Sequence, residues 1–163
     1  MPTAVLWFPA GAVAAHVFEE FVWPGGFAAW YRRYPPGQNV TVTPQFLLVM
    51  NAVLAVLALL PPVLGATPRG LGFWIVVAAI AAVNAVFHIV ATVRTHAYSP
   101  GVVTGVVVYL PLALIGGVWL LHDHLVASGT VAQAILIAVA YQTWSTWKHR
   151  RNALTRMNSR VDG

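Results

Sequence analysis

His16, Glu19 and Glu20 lie in the run His16-Val17-Phe18-Glu19-Glu20, inside a stretch that is otherwise apolar from Thr3 to Trp23. On an α-helix, positions i, i+3 and i+4 share one side, so an imidazole and two carboxylates would converge on one face. That set can hold a metal ion without thiolates, and imidazole with carboxylate suits Fe, Mn or Zn. It can also move protons: two adjacent buried carboxylates repel each other, so one stays protonated near neutral pH. The chain has only four acidic residues, and two of them are here. A charge in hydrocarbon costs several kcal/mol, so such groups normally face a partner or a cavity.

A second polar pair, Asn84 and His88, is spaced i, i+4 in another apolar stretch and shares a helix face. Soon after it comes Arg94-Thr95-His96-Ala97-Tyr98-Ser99-Pro100-Gly101, a polar turn, with Thr104 just beyond. The candidate catalytic residues are therefore Glu19, Glu20, His16, Asn84 and His88. The candidate metal ligands are His16, Glu19, Glu20 and His88, with Asn84 orienting a ligand or a water. Arg94, His96, Tyr98 and Thr104 are candidate substrate contacts. Gly101 and Gly105 form a GxxxG pair, which permits close helix approach. His122-Asp123-His124 looks like a further metal cluster, but i, i+2 spacing does not converge on a helix, and a solvated loop is the better reading.

The elements that must position these residues follow from composition. Of 163 residues, 59% are hydrophobic and 8% charged, against about a quarter charged in soluble domains. An all-α integral membrane protein is expected, as a single membrane domain. Cysteine is absent, which removes disulfides, thiolate metal sites and thiol nucleophiles. Five apolar segments, about 3–23, 44–64, 70–92, 101–121 and 129–147, are each long enough to cross a hydrocarbon core of about 30 Å. A basic tail, 148–163, follows. The N-terminal segment lacks a basic region ahead of its apolar run and reads as a retained span rather than a signal peptide.

The net charge of +5 reads as membrane topology, not as a nucleic-acid surface. Arg32, Arg33, Arg94, Lys148, Arg150, Arg151, Arg156 and Arg160 all fall on one side of a five-span bundle, and only Arg69 falls opposite. The positive-inside rule then places the N-terminus outside and the C-terminus in the cytoplasm. The first loop contains Tyr34, Pro35 and Pro36, expected along the interface, and a sequon, Asn39-Val40-Thr41, discounted as cytoplasmic. The Lys148-His149-Arg150-Arg151 tail would sit on anionic headgroups. In this topology the first and third spans run the same way. His16 to Glu20 lie roughly 13 to 17 residues into one span, and Asn84 and His88 roughly 14 to 18 into the other, which is one depth at about 1.5 Å per residue. The two polar faces are expected to meet in the cytoplasmic half of the membrane.

His16-x-x-Glu19-Glu20, the third-span Asn84-x-x-x-His88 and the Tyr98-x-Pro100-Gly101-x-x-Thr104 turn together resemble the HXXEE-domain proteins, from about Pro9 to Trp147. The resemblance implies a small bacterial integral membrane protein, multi-pass in the cytoplasmic (inner) membrane. That family is grouped as of unknown function, so the likeness strengthens the site without naming a reaction.

Three function classes stay open. The favoured one is a membrane-embedded enzyme acting on a small lipophilic molecule at this His/Glu/Glu and Asn/His site, with one Fe, Mn or Zn ion or with none. A second is a metal-free acid/base isomerase or cyclase, in which a protonated Glu works beside a neutral His. A third is a proton- or ion-coupled carrier or channel, whose conducting path a homo-oligomer could complete. A purely structural clamp between Glu and Arg94 or His88 is the bland alternative. The partners expected are the lipid bilayer and the lipophilic substrate, with no nucleic acid.

Overall fold

A computed structural model describes residues 2–33 and 44–161, with the backbone alone at 31, 32, 44, 146 and 148–161. The segment around Tyr34, Pro35 and Pro36, the Asn39-Val40-Thr41 sequon and the side chains of the basic tail lie outside the described residues. Most of the described residues are helical, and no strand lies among them.

A 3₁₀ turn, Thr3–Trp7, leads into α1, Phe8–Phe21, which has a proline in its first turn, where the missing N–H costs nothing. Helix α2 is short, Phe27–Arg33, and α3 spans Pro44–Leu64. Gly65, at φ 68°, ends α3 in the left-handed region. Thr67 then caps α4, Pro68–Thr95, its hydroxyl accepting from the Gly70 amide at 3.2 Å. His96, at φ 50°, closes α4 in the left-handed conformation.

Helix α5, Val102–His122, is continuous but contains two π-helical stretches, Gly105–Tyr109 and Leu112–Gly116. Pro111 lies between them and cannot donate to the helical ladder. A π turn inserts a residue into the 3.6 period and shifts which side chains face inward. Helix α6 runs Ser128–Val161. No proline or glycine interrupts it after Gly129, so the backbone of the basic segment continues the helix of the apolar one.

Three helices are long and apolar enough to cross a membrane: Gln45–Leu64, Pro68–Thr95 and Val102–His122. Helix α4 is central. Its most apolar stretch is 44% buried against 17% for the other two, and it packs on α1, α3, α5 and α6. Small residues set this closeness, as Ala12, Ala81 and Ala85 are buried in one cluster and Val13, Ala58 and Val77 in another. At one end Trp74 is buried among Leu6, Leu71 and Leu120 and donates its indole N–H to the Val5 carbonyl at 3.0 Å. A side chain at Gly116 would overlap the Trp74 ring, so α5 can approach only through a glycine.

Candidate metal centre

The last turns of α1 bring three buried polar side chains to the middle of the protein: His16, Glu19 and Glu20. Helix α4 supplies Asn84 and the fully buried His88. The turn between α4 and α5, with the first turn of α5, supplies Tyr98, Ser99, Gly101 and Thr104.

The two carboxylates take different partners. Glu19 accepts five hydrogen bonds from the turn before α5 and from its first residues. Its Oε1 receives the Tyr98 hydroxyl at 2.6 Å and the amides of Gly101 and Val103, each at 3.0 Å. Its Oε2 receives the Thr104 amide at 2.6 Å and the Thr104 hydroxyl at 2.5 Å. The first amides of a helix have no partner within the helix. The N-cap of α5 is Gly101, which has no side chain to serve them. Glu19 caps α5 from a different helix, where an anion also complements the positive end of the helix dipole. Tyr98 stands in the turn with its ring partly exposed, and the loss of water around its hydroxyl together with the bond to Glu19 pushes its phenol above the ordinary value, so it remains a donor.

Glu20 turns to the imidazoles. Its Oε1 lies 3.4 Å from His16 Nε2 and 3.2 Å from His88 Nε2. One ligand atom from each of His16, Glu20 and His88 falls within 4.8 Å of the others, and all three residues are buried. A tetrahedral ion bound at about 2.0 to 2.1 Å requires ligand atoms roughly 3.3 to 3.4 Å apart along each edge. The two Glu20 separations match that edge.

The opposite imidazole nitrogens are held by hydroxyls. His16 Nδ1 lies 2.8 Å from Thr104 Oγ1 and His88 Nδ1 lies 3.0 Å from Ser99 Oγ. The Thr104 proton goes to Glu19, so Thr104 accepts from His16 Nδ1–H, and His16 Nε2 keeps its lone pair. A ligating histidine is commonly fixed in this way through its other nitrogen. His88 Nε2 is fully buried, with Glu20 Oε1 as its polar neighbour at 3.2 Å. Asn84 Nδ2 stands 3.0 Å from His16 Nε2.

Gly101 (φ 101°) closes the centre. A Cβ there would stand 2.7 Å from His16 Cε1 and 2.9 Å from His88 Nε2. Gly105 meets Ala85 at 3.2 to 3.3 Å, so one glycine of the GxxxG pair seats the imidazoles and the other seats α4.

Of the residues singled out by sequence, His16, Glu20, Asn84 and His88 come together, and Glu19, Tyr98 and Thr104 form the cap beside them. Arg94 and His96 stay exposed at the end of α4, outside the cluster. Glu19, counted with the metal ligands from helical spacing, is outside the three-ligand group because its oxygens face the α5 amides. His122 and Asp123 pair at 3.0 Å in an exposed turn at the far end of α5. Two residues were missed. Ser99 is fully buried against His88, and Tyr109 is fully buried with its ring stacked on His16 at 4.4 Å between centroids. Ser99 could have been suspected from its place in the polar turn. Tyr109 carries no such signal, because a π turn sets its direction.

A cavity of about 100 Å³ adjoins the centre, with Glu20 and Asn84 in its wall and Phe27, Phe87, Met50 and Tyr141 around it. The Tyr141 hydroxyl donates to Met50 Sδ at 3.4 Å, linking α6 to α3 across this space. Asn51 lies in the wall of the cavity and also in the wall of an open apolar groove between α1 and α3.

Residues 7–116 match a family described as a protein of unknown function with HXXEE motif. The chain belongs to this family. The match takes in the motif at His16-x-x-Glu19-Glu20, the Asn84 and His88 pair and the capped turn. No curated protein and no solved structure matches the chain.

Proposed function

We propose that this HXXEE-family chain is a membrane-embedded, metal-dependent enzyme acting on a small lipophilic molecule. The observation that carries the reading is the convergence of His16, His88 and Glu20 within 4.8 Å, with Glu20 Oε1 at 3.4 and 3.2 Å from the two Nε2 atoms and both Nδ1 atoms held by hydroxyls. Two imidazoles and one carboxylate suit Fe, Mn or Zn and leave coordination positions for water or substrate. Iron in such a set supports oxidation, and zinc supports hydrolysis through an activated water.

In this reading His16, Glu20 and His88 bind the ion, and Asn84 orients a ligand beside it. Turning the Asn84 amide by 180° would offer its oxygen as a fourth ligand. Glu19 holds α5, and with it Gly101 and Thr104, against the imidazoles. The substrate end that reacts would occupy the cavity at Glu20. At about 100 Å³ that space is smaller than the engineered cavity of about 150 Å³ that takes benzene, so it admits a group of a few heavy atoms. The apolar remainder would lie in the groove between α1 and α3, reaching the cavity past Asn51. Five spans, a multi-pass place in a bacterial inner membrane, and the N-terminus outside complete the proposal, on the grouping of the basic residues.

Elemental analysis of the chelator-free protein tests it. Near-stoichiometric Fe, Mn or Zn, lost in Glu20→Gln and in His88→Ala, is the expected result. Absence of metal from the folded wild-type protein, even after incubation with each ion, would overturn it and favour metal-free acid/base chemistry at Glu20.

A further inference from the structure

Tyr109 fills its site in an unexpected way. It is fully buried, packed with Ala12, Ala81 and Ala85, and its hydroxyl has no hydrogen-bond partner among the described residues. Phenylalanine would fill the same volume without burying an unpaired hydroxyl, which is a costly group to desolvate. The partly buried Tyr141 shows the ordinary solution, with its hydroxyl on Met50 Sδ.

The location of Tyr109 is specific. It ends the π-helical stretch Gly105–Tyr109, and π turns often occur where a helix must re-aim a side chain at a functional site. Its ring lies against His16, 4.4 Å away and tilted by only 28°. On another side of the same imidazole is His88, 5.1 Å between centroids, whose Nε2 faces Glu20 Oε1 at 3.2 Å. The Tyr109 hydroxyl is thus a buried polar atom without a partner among the described residues, beside the imidazole that the ion would use. Such a group calls for a further body that bonds to it, and a small oxygen ligand would serve.

We propose that the Tyr109 hydroxyl donates a hydrogen bond to an oxygen carried by the ion at His16, Glu20 and His88: a water, a hydroxide or the substrate's own oxygen. This rests on the metal reading above. The phenol keeps its proton; it stabilises negative charge on the bound oxygen and orients it. Tyr109 is then a positioning donor for the reacting oxygen, reached by α5 rather than by the motif on α1.

Cobalt(II) substitution separates this from the metal reading. Wild-type protein and Tyr109→Phe are loaded with cobalt(II) in detergent. The visible spectrum is followed against pH and against added azide. The ring stack survives in Tyr109→Phe, so cobalt content and thermal unfolding should hold. Without the donor, hydroxide on the metal is less favoured, and the spectral midpoint should move up by about one pH unit, a tenfold loss. Azide affinity should change with it. Cobalt bound equally, with unchanged midpoint and azide affinity, would overturn the Tyr109 proposal and leave the metal reading standing. A wild-type protein that takes no cobalt would overturn both. If Tyr109→Phe does not hold cobalt, 3-fluorotyrosine at 109 replaces it. That side chain is a stronger donor of nearly the same shape, so the midpoint should fall, and an unmoved midpoint would overturn the proposal.

Discussion

Glu19 and Glu20 are adjacent in the chain and serve different parts of the molecule. Glu19 accepts from the Gly101, Val103 and Thr104 amides at the start of α5, while Glu20 reaches His16 and His88 at 3.4 and 3.2 Å. Successive residues on a helix are rotated by about 100°, and each carboxylate meets what lies in its own direction. The motif combines an acid that caps α5 with one that faces two imidazoles.

Substituting the two acids should therefore give opposite results. Glu19→Gln places an amide N–H₂ among five donors and removes a charge that complements the α5 terminus. Hydrogen bonds to charged groups contribute about 1.5 to 3 kcal/mol each when broken, so a loss of roughly 3 kcal/mol is expected. It should appear as a lower thermal midpoint by circular dichroism, with metal retained in the folded fraction. Glu20→Gln should lose the metal with less effect on unfolding of the metal-free protein. Metal loss in Glu19→Gln without destabilisation would reverse the assignment.

Gly101 should not tolerate a side chain. Its φ of 101° strains any L residue, and the added Cβ would press on both imidazoles. Gly101→Ala is expected to lose about 2 kcal/mol or more and to bind metal weakly. Gly105→Ala meets Ala85 at 3.2 to 3.3 Å, where a shift of a few tenths of an ångström relieves the contact, and should be milder and keep the metal. Paired metal analysis and thermal unfolding read both. Equal behaviour of the two variants would show that the imidazoles do not depend on the backbone at 101.

Tyr98 gives the cap an alkaline limit. Its phenol is held above the ordinary value by the partial desolvation of its hydroxyl and by the Glu19 bond. A raised folded-state pKa means that its stabilising effect is complete below the unfolded value of about 10 and is lost as pH rises beyond it. The difference in thermal midpoint between wild type and Tyr98→Phe should be constant up to about pH 9 and shrink by about pH 11. A difference that stays level across that range would mean the phenol does not titrate in contact with Glu19.

Much of this was legible in the chain. Proline and glycine mark where helices begin and end, and apolar runs of membrane length mark which are long. The scarcity of polar groups within those runs made His16, Glu20, Asn84 and His88 conspicuous, and equal depth in two helices suggested that they meet. The capping role of Glu19 was not legible: a helix opening on Pro100-Gly101 has no side chain of its own for its amides, but spacing along the chain does not say which distant residue serves them. The place of Arg94 and His96 was not legible, since a left-handed residue at His96 turns the chain and leaves both exposed.

The sequence by itself determined a helical, strongly apolar chain with a small set of polar side chains inside its apolar runs, because periodicity and hydropathy act along the chain. Only the tertiary structure decided which of those side chains share a partner. Helical spacing defines a face to within a wide arc, whereas a ligand set depends on tenths of an ångström between helices. The separation of Glu19 from Glu20, the hydroxyl of Ser99 on His88, and the stack of Tyr109 on His16 all arise where α1, α4 and α5 cross. At that crossing Gly101 and Gly105 permit close approach, and a π turn sets the direction of Tyr109.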